Sequence, residues 1–237
     1  MNDIILNMLK GESELLSKRN ITENVLELTY SVPNDLTFIP GQFMNISVTA
    51  PYRRPYSILD MKDGEVSFMI GVGEPGKGSD YFKEVEIGSK TTLMGPLGRF
   101  KLNDSSNKKI FIATGVGIVP FIPMIKELLN PADGVKIETE LFFGARFLND
   151  TKVVTDYLGD LITTDNNLIV MNAITKPEHD ELDFFHGRVN VLIDSRKDNI
   201  DFRNTDFYVC GSNEMIKGVR TQLKELGADQ IFMENYG

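Results

Sequence analysis

Over the first hundred residues apolar and polar positions alternate with period two. Leu26, Leu28, Tyr30 and Val32 alternate with Glu27, Thr29 and Ser31; Met44, Ile46 and Val48 alternate with Asn45, Ser47 and Thr49; Val66, Phe68 and Ile70 alternate with Glu65, Ser67 and Met69. Antiparallel strands with one face in a core and one in water have this pattern. Turn residues separate the runs at Pro33-Asn34-Asp35, Pro40-Gly41, Asp63-Gly64, Glu74-Pro75-Gly76 and Gly95-Pro96-Leu97-Gly98. The spacing predicts a small sandwich or barrel of six strands, from about Glu14 to Lys101. One short helix is expected over 80–85, with Ser79 as its N-cap. Residues 1–11 carry Ile4, Ile5, Leu6, Met8 and Leu9 and suit a short helix packed on that domain.

Beyond the polar stretch Asn103-Asp104-Ser105-Ser106-Asn107 the period changes. Strand-like runs at 110–113, 137–143, 168–173, 206–210 and 230–234 alternate with helical segments. Those helices are expected at 120–129, 152–162, 187–194 and 214–226, the last capped by Ser212 or Asn213 and ended by Gly227. Strand and helix in alternation predict a parallel sheet covered on both faces.

Composition narrows the function classes. The formal charge is -9, and acidic residues outnumber basic ones on both sides of residue 105, so neither half has the basic excess of a nucleic-acid binder. A single cysteine, Cys210, excludes an internal disulfide and any all-cysteine metal site built from this chain alone. The N-terminus lacks the basic region of a signal peptide, and the apolar run at 118–125 is too short to span a bilayer. A cytoplasmic protein without a transmembrane segment, monomer or dimer, is expected.

Three stretches carry candidate chemistry. Lys109-Ile110-Phe111-Ile112-Ala113 leads into Thr114-Gly115-Val116-Gly117-Ile118-Val119-Pro120, a strand and glycine turn before a helix. That arrangement points backbone N–H groups and a positive helix end at a phosphate, although an ordinary strand-to-helix turn reads the same way. In Arg53-Arg54-Pro55-Tyr56-Ser57 pleating puts Arg54 and Tyr56 on one face, where a guanidinium and a phenol can hold a phosphate and a flat ring. A solvated basic edge is the alternative. Gly76-Lys77-Gly78-Ser79 at a helix start can cradle an anion or form a plain glycine-rich loop; it lacks the full pattern of a P-loop.

Taken in order, these motifs resemble the ferredoxin–NADP reductase superfamily from about residue 14 to the C-terminus. Pro40-Gly41-Gln42-Phe43, Arg54-x-Tyr56-Ser57, Gly76-Lys77-Gly78-Ser79 and Gly95-Pro96-Leu97-Gly98-Arg99-Phe100 resemble its flavin-binding half. Gly115-x-Gly117-x-x-Pro120, Phe143-Gly144-Ala145-Arg146, Gly187-Arg188-Val189, Cys210-Gly211-Ser212-x-x-Met215 and Glu234-Asn235-Tyr236 resemble its pyridine-nucleotide half. The resemblance implies two domains: a six-stranded antiparallel Greek-key β-barrel over 1–102 that binds FAD, and a Rossmann-like α/β domain over 108–237 with a parallel five-stranded sheet that binds NAD(P).

By the same resemblance Arg54, with Pro55 beside it, and Gly76, Lys77, Gly78 and Ser79 would hold the FAD pyrophosphate. Tyr56 would lie against the isoalloxazine, Ser57 near its N5, and Glu234 and Tyr236 close to the ring. Thr114, Gly115, Gly117, Pro120, Gly211 and Met215 would seat the nicotinamide dinucleotide, with Cys210 packed against the nicotinamide. Tyr56, Ser57, Cys210 and Glu234 are thus the residues implied at the reacting atoms. Hydride would pass from NADPH or NADH to flavin, and electrons onward to a soluble one-electron carrier, a ferredoxin or flavodoxin. Alternatives are a reductase of free flavin or an electron-transfer subunit of a larger complex. Arg146 and the pair Thr175-Lys176 follow two strand ends where relatives that use NADPH bind its 2′-phosphate. These cations favour NADPH, but lysine, a point charge without a planar fork, stands where many of those relatives have arginine, a departure that leaves NADH open. His179 and His186 are expected on the surface, and no metal site is expected. Arg19, Arg53, Arg99 and Lys101 are candidate contacts for an acidic carrier.

Overall fold

The computed structural model describes residues 8–49, 51–132, 134–164, 167–177 and 184–235. The chain divides into two compact units, 1–102 and 103–237.

The first unit holds β1 (Leu9–Thr22), β2 (Val25–Ser31), β3 (Phe43–Thr49), β4 (Tyr52–Lys62), β5 (Glu65–Gly71), α1 (Lys77–Glu84) and β6 (Lys90–Leu97). The strands close into a barrel in the order β1-β2-β5-β4-β3-β6, and every neighbouring pair is antiparallel. Closure leaves no sheet edge exposed. The inward positions of the alternating pattern form the core, among them Leu28, Tyr30, Met44, Ile46, Val66 and Phe68. Phe82 of α1 is fully buried in the same core.

The first unit departs from the expected pattern at two places. Leu9, Lys10 and Gly11 belong to no helix: they are the start of β1 and pair with Gly95, Met94 and Leu93 of β6. β6 is thereby paired on both sides, with β1 on one and β3 on the other. Residues 1–7 lie outside those described. The short helix begins at Lys77 with Gly76 as N-cap, three residues before the position expected. Ser79 lies inside its first turn and is no cap, because its hydroxyl donates to the Val72 carbonyl at 2.8 Å and ties the helix start to the end of β5.

The second unit contains β7 (Lys108–Thr114), α2 (Phe121–Leu129), β8 (Thr139–Ala145), α3 (Lys152–Thr164), β9 (Leu168–Ile174), β10 (Phe185–His186), α4 (Val189–Arg196), β11 (Thr205–Gly211), α5 (Asn213–Glu225) and β12 (Gln230–Asn235). All pairings are parallel and the order is β10-β9-β8-β7-β11-β12. The sheet therefore has six strands where five were expected. The addition is β10, whose two residues pair with Ala173 and Ile174 and are too few to show a period.

A 3-10 turn at Gly115–Ile118 separates β7 from α2, and Pro120 takes the N-cap position where the first helical residue was expected. α4 starts at Val189, two residues later than expected, because Gly187 has φ +146 and Arg188 is extended. Ser212 caps α5, its hydroxyl accepting from the Met215 N–H at 3.3 Å.

The stretch at 103–107 is bound into the second unit. Lys109 and Asp206 lie opposite each other on β7 and β11, both fully buried, with Nζ and Oδ2 2.5 Å apart. Lys109 also donates to Asn103 Oδ1 at 3.0 Å and to the Ser105 carbonyl and hydroxyl at 2.8 Å. Asn107 donates to Asp206 Oδ1 at 3.2 Å, and the Asn103 N–H to the Tyr208 hydroxyl at 2.9 Å. Burial pushes the Asp206 carboxyl up, but the bonds from Lys109, Ser105 and Asn107 outweigh it and hold the carboxyl below its ordinary range.

Candidate functional site

In the first unit the start of α1 lies over the face of β4 that carries Arg54 and Tyr56. A Cβ built on Gly78 would stand 2.8 Å from the Tyr56 hydroxyl and 4.0 Å from Arg54 Cγ. A side chain at this position would press on the hydroxyl end of the Tyr56 phenol. Tyr56 is half-buried and meets Phe82 edge-on, with ring centroids 5.2 Å apart and planes at 89°. Burial pushes its phenol up to about 12, so it stays a neutral donor. Arg54 and Pro55 are exposed, and Ser57 is buried opposite Phe43.

The helix start is open to an anion. Gly76 supplies no side-chain cap, so the first turn of α1 directs unpaired backbone N–H groups outward beside Arg54 and Lys77. The Ser79 hydroxyl is engaged with the Val72 carbonyl, while its backbone N–H belongs to the first turn, where the helix supplies no partner. Those features fit a pyrophosphate. Two supporting residues were not foreseen. The Lys77 ammonium sits 3.5 Å from the centroid of the Tyr52 ring. At the other end of α1, Lys18 donates to the Lys83 and Val85 carbonyls at 2.8 and 2.9 Å. Tyr52 shares the period-two face of Arg54 and was legible on that ground; Lys18 comes from a distant strand and gave no local signal.

In the second unit the glycine turn packs on the end of β11. A Cβ on Gly117 would stand 2.4 Å from the Cys210 carbonyl oxygen and 2.7 Å from Gly211 Cα. A Cβ on Gly211, at φ +152, would stand 2.3 Å from Thr114 Oγ1 and 2.6 Å from Met215 Cε. Thr114, Gly117, Cys210, Gly211 and Met215 are thus brought together where the strand order reverses, with β7 between β8 and β11. Gly115 (φ +54) has open space where a Cβ would be, and Pro120 is buried beneath the turn. The reversal point of a parallel sheet opens a crevice at the strands' C-terminal ends, which fits a dinucleotide.

Along the same rim Arg146 and Lys176 are neighbours: the Lys176 N–H donates to the Arg146 carbonyl at 2.8 Å, and the Thr175 N–H to Ala145 at 3.1 Å. Both cationic side chains are exposed. Cys210 is fully buried and pairs in register with Glu234 of β12. Glu234 is half-buried, its Oε2 has no hydrogen-bond partner, and burial raises its carboxyl to about 7. His186 is exposed and stacks on Phe184 at 5.0 Å. His179 and Tyr236 lie outside the described residues. Arg19 is engaged by Glu27 at 2.7 Å, whereas Arg53, Arg99 and Lys101 are exposed. Among the described residues no helix is long and apolar enough to cross a membrane.

Residues 12–102 match the oxidoreductase FAD-binding domain family, and residues 111–221 match the oxidoreductase NAD-binding domain family. The chain is 26% identical over 221 residues to the toluate 1,2-dioxygenase electron transfer component of Pseudomonas putida, covering 91% of this chain and 64% of that protein. It is 28% identical over 224 residues to the electron transfer subunit of the NAD-dependent dihydroorotate dehydrogenase B of Desulforamulus reducens, covering 90% of this chain and 78% of that protein. This chain therefore spans less than two thirds of the first of these relatives. A crystal structure of a ferredoxin NADP+ reductase from Neisseria gonorrhoeae, with bound FAD and NADP, has the same fold at TM-score 0.81 and 20% identity, covering 96% of this chain and 99% of that one. With an FAD-binding domain followed by an NAD-binding domain over most of its length, and one cradle of matching chemistry in each, the chain belongs to the ferredoxin–NADP reductase superfamily.

Proposed function

We propose that the protein is an FAD-containing reductase that oxidises NAD(P)H and passes electrons to a soluble one-electron carrier, a ferredoxin or flavodoxin. The observation that carries this reading is the Gly78 approach: a helix start pressed onto Tyr56 and Arg54 in the domain whose family binds FAD. Bound FAD would supply the chemistry, taking a hydride from the nicotinamide and releasing electrons singly or in pairs. The chain's own residues then bind and orient. Arg54, Lys77 and the N–H groups of Gly78 and Ser79 hold the pyrophosphate, and Tyr56 and Ser57 lie at the ring end. Thr114, Gly115, Gly117, Gly211 and Met215 shape the nucleotide seat. Cys210 contributes packing rather than thiolate chemistry, because it is buried. Glu234 lies at the ring end of that seat as a carboxyl able to hold a proton near neutrality.

Two relatives named as electron transfer components or subunits favour a second reading, in which this chain delivers electrons inside a larger complex. Steady-state rates of the FAD-loaded protein with ferredoxin, flavodoxin and free FMN separate these readings. A carrier reduced far faster than free FMN supports the first; no soluble acceptor reduced, with a co-purifying polypeptide, supports the second. Preference for NADPH rests on Arg146 and Lys176. Lys176→Ala is expected to raise KM for NADPH about tenfold more than for NADH, the effect of one charge-assisted hydrogen bond to phosphate. Equal effects on the two nucleotides would remove 2′-phosphate recognition from this rim.

A further inference from the structure

Tyr52 stands two residues before Arg54 and four before Tyr56 on β4. Alternate residues of a strand share a face, so the three side chains form one row. The start of α1 lies along the row: Lys77 is over the Tyr52 ring, and Gly78 faces Arg54 and Tyr56. The β3–β4 register shifts between Ser47 and Thr49 while their partners Arg53 and Tyr52 stay consecutive, so the extra residue belongs to β3 and the alternation of β4 is intact. At about 3.3 Å per residue the two tyrosines are ~13 Å apart along the strand, with Arg54 midway. Tyr52 is 44% exposed, an open aromatic ring at the edge of a phosphate cradle.

We infer that Tyr52 seats the adenine of FAD and that the row Tyr52–Arg54–Tyr56 selects FAD over FMN, an inference that rests on FAD occupying the first unit's cradle. FAD carries one flat ring system at each end of a pyrophosphate, and the row carries one flat ring on each side of a guanidinium. Lysine is a compact point charge on a flexible stem. It binds a phosphate more strongly than the quadrupole of a phenol ring. A pyrophosphate in the cradle therefore draws Lys77 off Tyr52 and frees that face for a purine. FMN ends at its single phosphate and has nothing to place there.

The test measures dissociation constants of the flavin-free full chain for FAD and FMN by fluorescence quenching. Tyr52→Ala is expected to weaken FAD about tenfold, the usual effect of losing an aromatic platform under a base, and to leave FMN within about twofold. Tyr52→Phe should retain FAD binding. Tyr52→Leu, which keeps an apolar side chain without a ring, should reproduce the alanine result. ADP should compete with FAD in the parent protein and tenfold less well in Tyr52→Ala. Equal weakening of FAD and FMN would mean that Tyr52 only holds Lys77 at the phosphate, and would overturn the inference, as would unchanged FAD affinity. A parent protein that takes up neither flavin would overturn the cofactor assignment itself.

Discussion

The two units build their cradles from different material. In the first, the contacts are side chains on one strand face meeting a helix start: Arg54, Tyr56, Lys77 and the single close glycine, Gly78. In the second, Gly117 lies backbone on backbone against the carbonyl of Cys210 and the Cα of Gly211, while Gly211 itself meets the side chains of Thr114 and Met215. A side chain can give way by rotating, whereas a carbonyl inside a hydrogen-bonded sheet cannot. The first cradle should therefore respond to substitution by degrees, and the second abruptly at Gly117.

The units also differ in what they bury. The barrel core is aliphatic and aromatic, while the start of the parallel sheet encloses the Lys109–Asp206 pair. The largest expected effect follows from that. Lys109→Ala leaves Asp206 charged and buried without its counter-ion and should destabilise the protein by about 3–5 kcal/mol, read by urea unfolding. A change below 1 kcal/mol would show that Ser105 and Asn107 suffice for Asp206 and that the two units are less different than their burial implies.

Gly117→Ala comes next. With backbone atoms 2.4 Å and 2.7 Å from the added Cβ, overpacking should cost about 3 kcal/mol and abolish saturable NAD(P)H binding. Gly78→Ala introduces a Cβ against the far end of one side chain, 2.8 Å from the Tyr56 hydroxyl. It should weaken FAD about tenfold by displacing the phenol while stability falls by about 1 kcal/mol. Similar losses from the two alanines, read by calorimetry and flavin titration, would break the contrast between a yielding and an unyielding cradle.

Legibility in the sequence divides along the same line. The barrel was readable because Leu26, Leu28 and Tyr30, and Val66, Phe68 and Ile70, alternate into one core, and Arg54 and Tyr56 share a face by the same rule. The parallel sheet was readable from its alternating strands and helices, apart from β10, where Phe185 and His186 are too short a run to carry a period. The start of α1 was misplaced because Ser79 suits an N-cap by type, yet its hydroxyl is committed to Val72, a tertiary contact no local rule contains. Lys18 was invisible for the same reason, since it reaches α1 from another strand. Nor did local sequence show that Asn103, Ser105 and Asn107 gather around one buried ion pair.

The smallest expected effect concerns Glu234. Its carboxyl titrates near 7 when folded, against 4.5 for an exposed glutamate, so between those values the folded state holds a proton that the unfolded state has released. Stability linked to this group is therefore full below about pH 4.5, falls as pH rises toward 7, and stays lower above that. Glu234→Gln should be indistinguishable from the parent at pH 4 and melt roughly 1–3 °C higher at pH 8, a modest difference because the side chain is only half-buried. A difference independent of pH would show that Glu234 does not titrate in that window.

The central claim is that the first unit holds FAD and the second holds the nucleotide that reduces it. Anaerobic titration of the FAD-loaded protein with NADPH and with NADH, followed through the flavin absorption in the visible, tests it most directly. The account predicts stoichiometric bleaching in the parent protein, no retained flavin in Arg54→Ala, and retained but unbleached flavin in Gly117→Ala. Flavin retained by Arg54→Ala as well as by the parent, or bleached normally in Gly117→Ala, would contradict it.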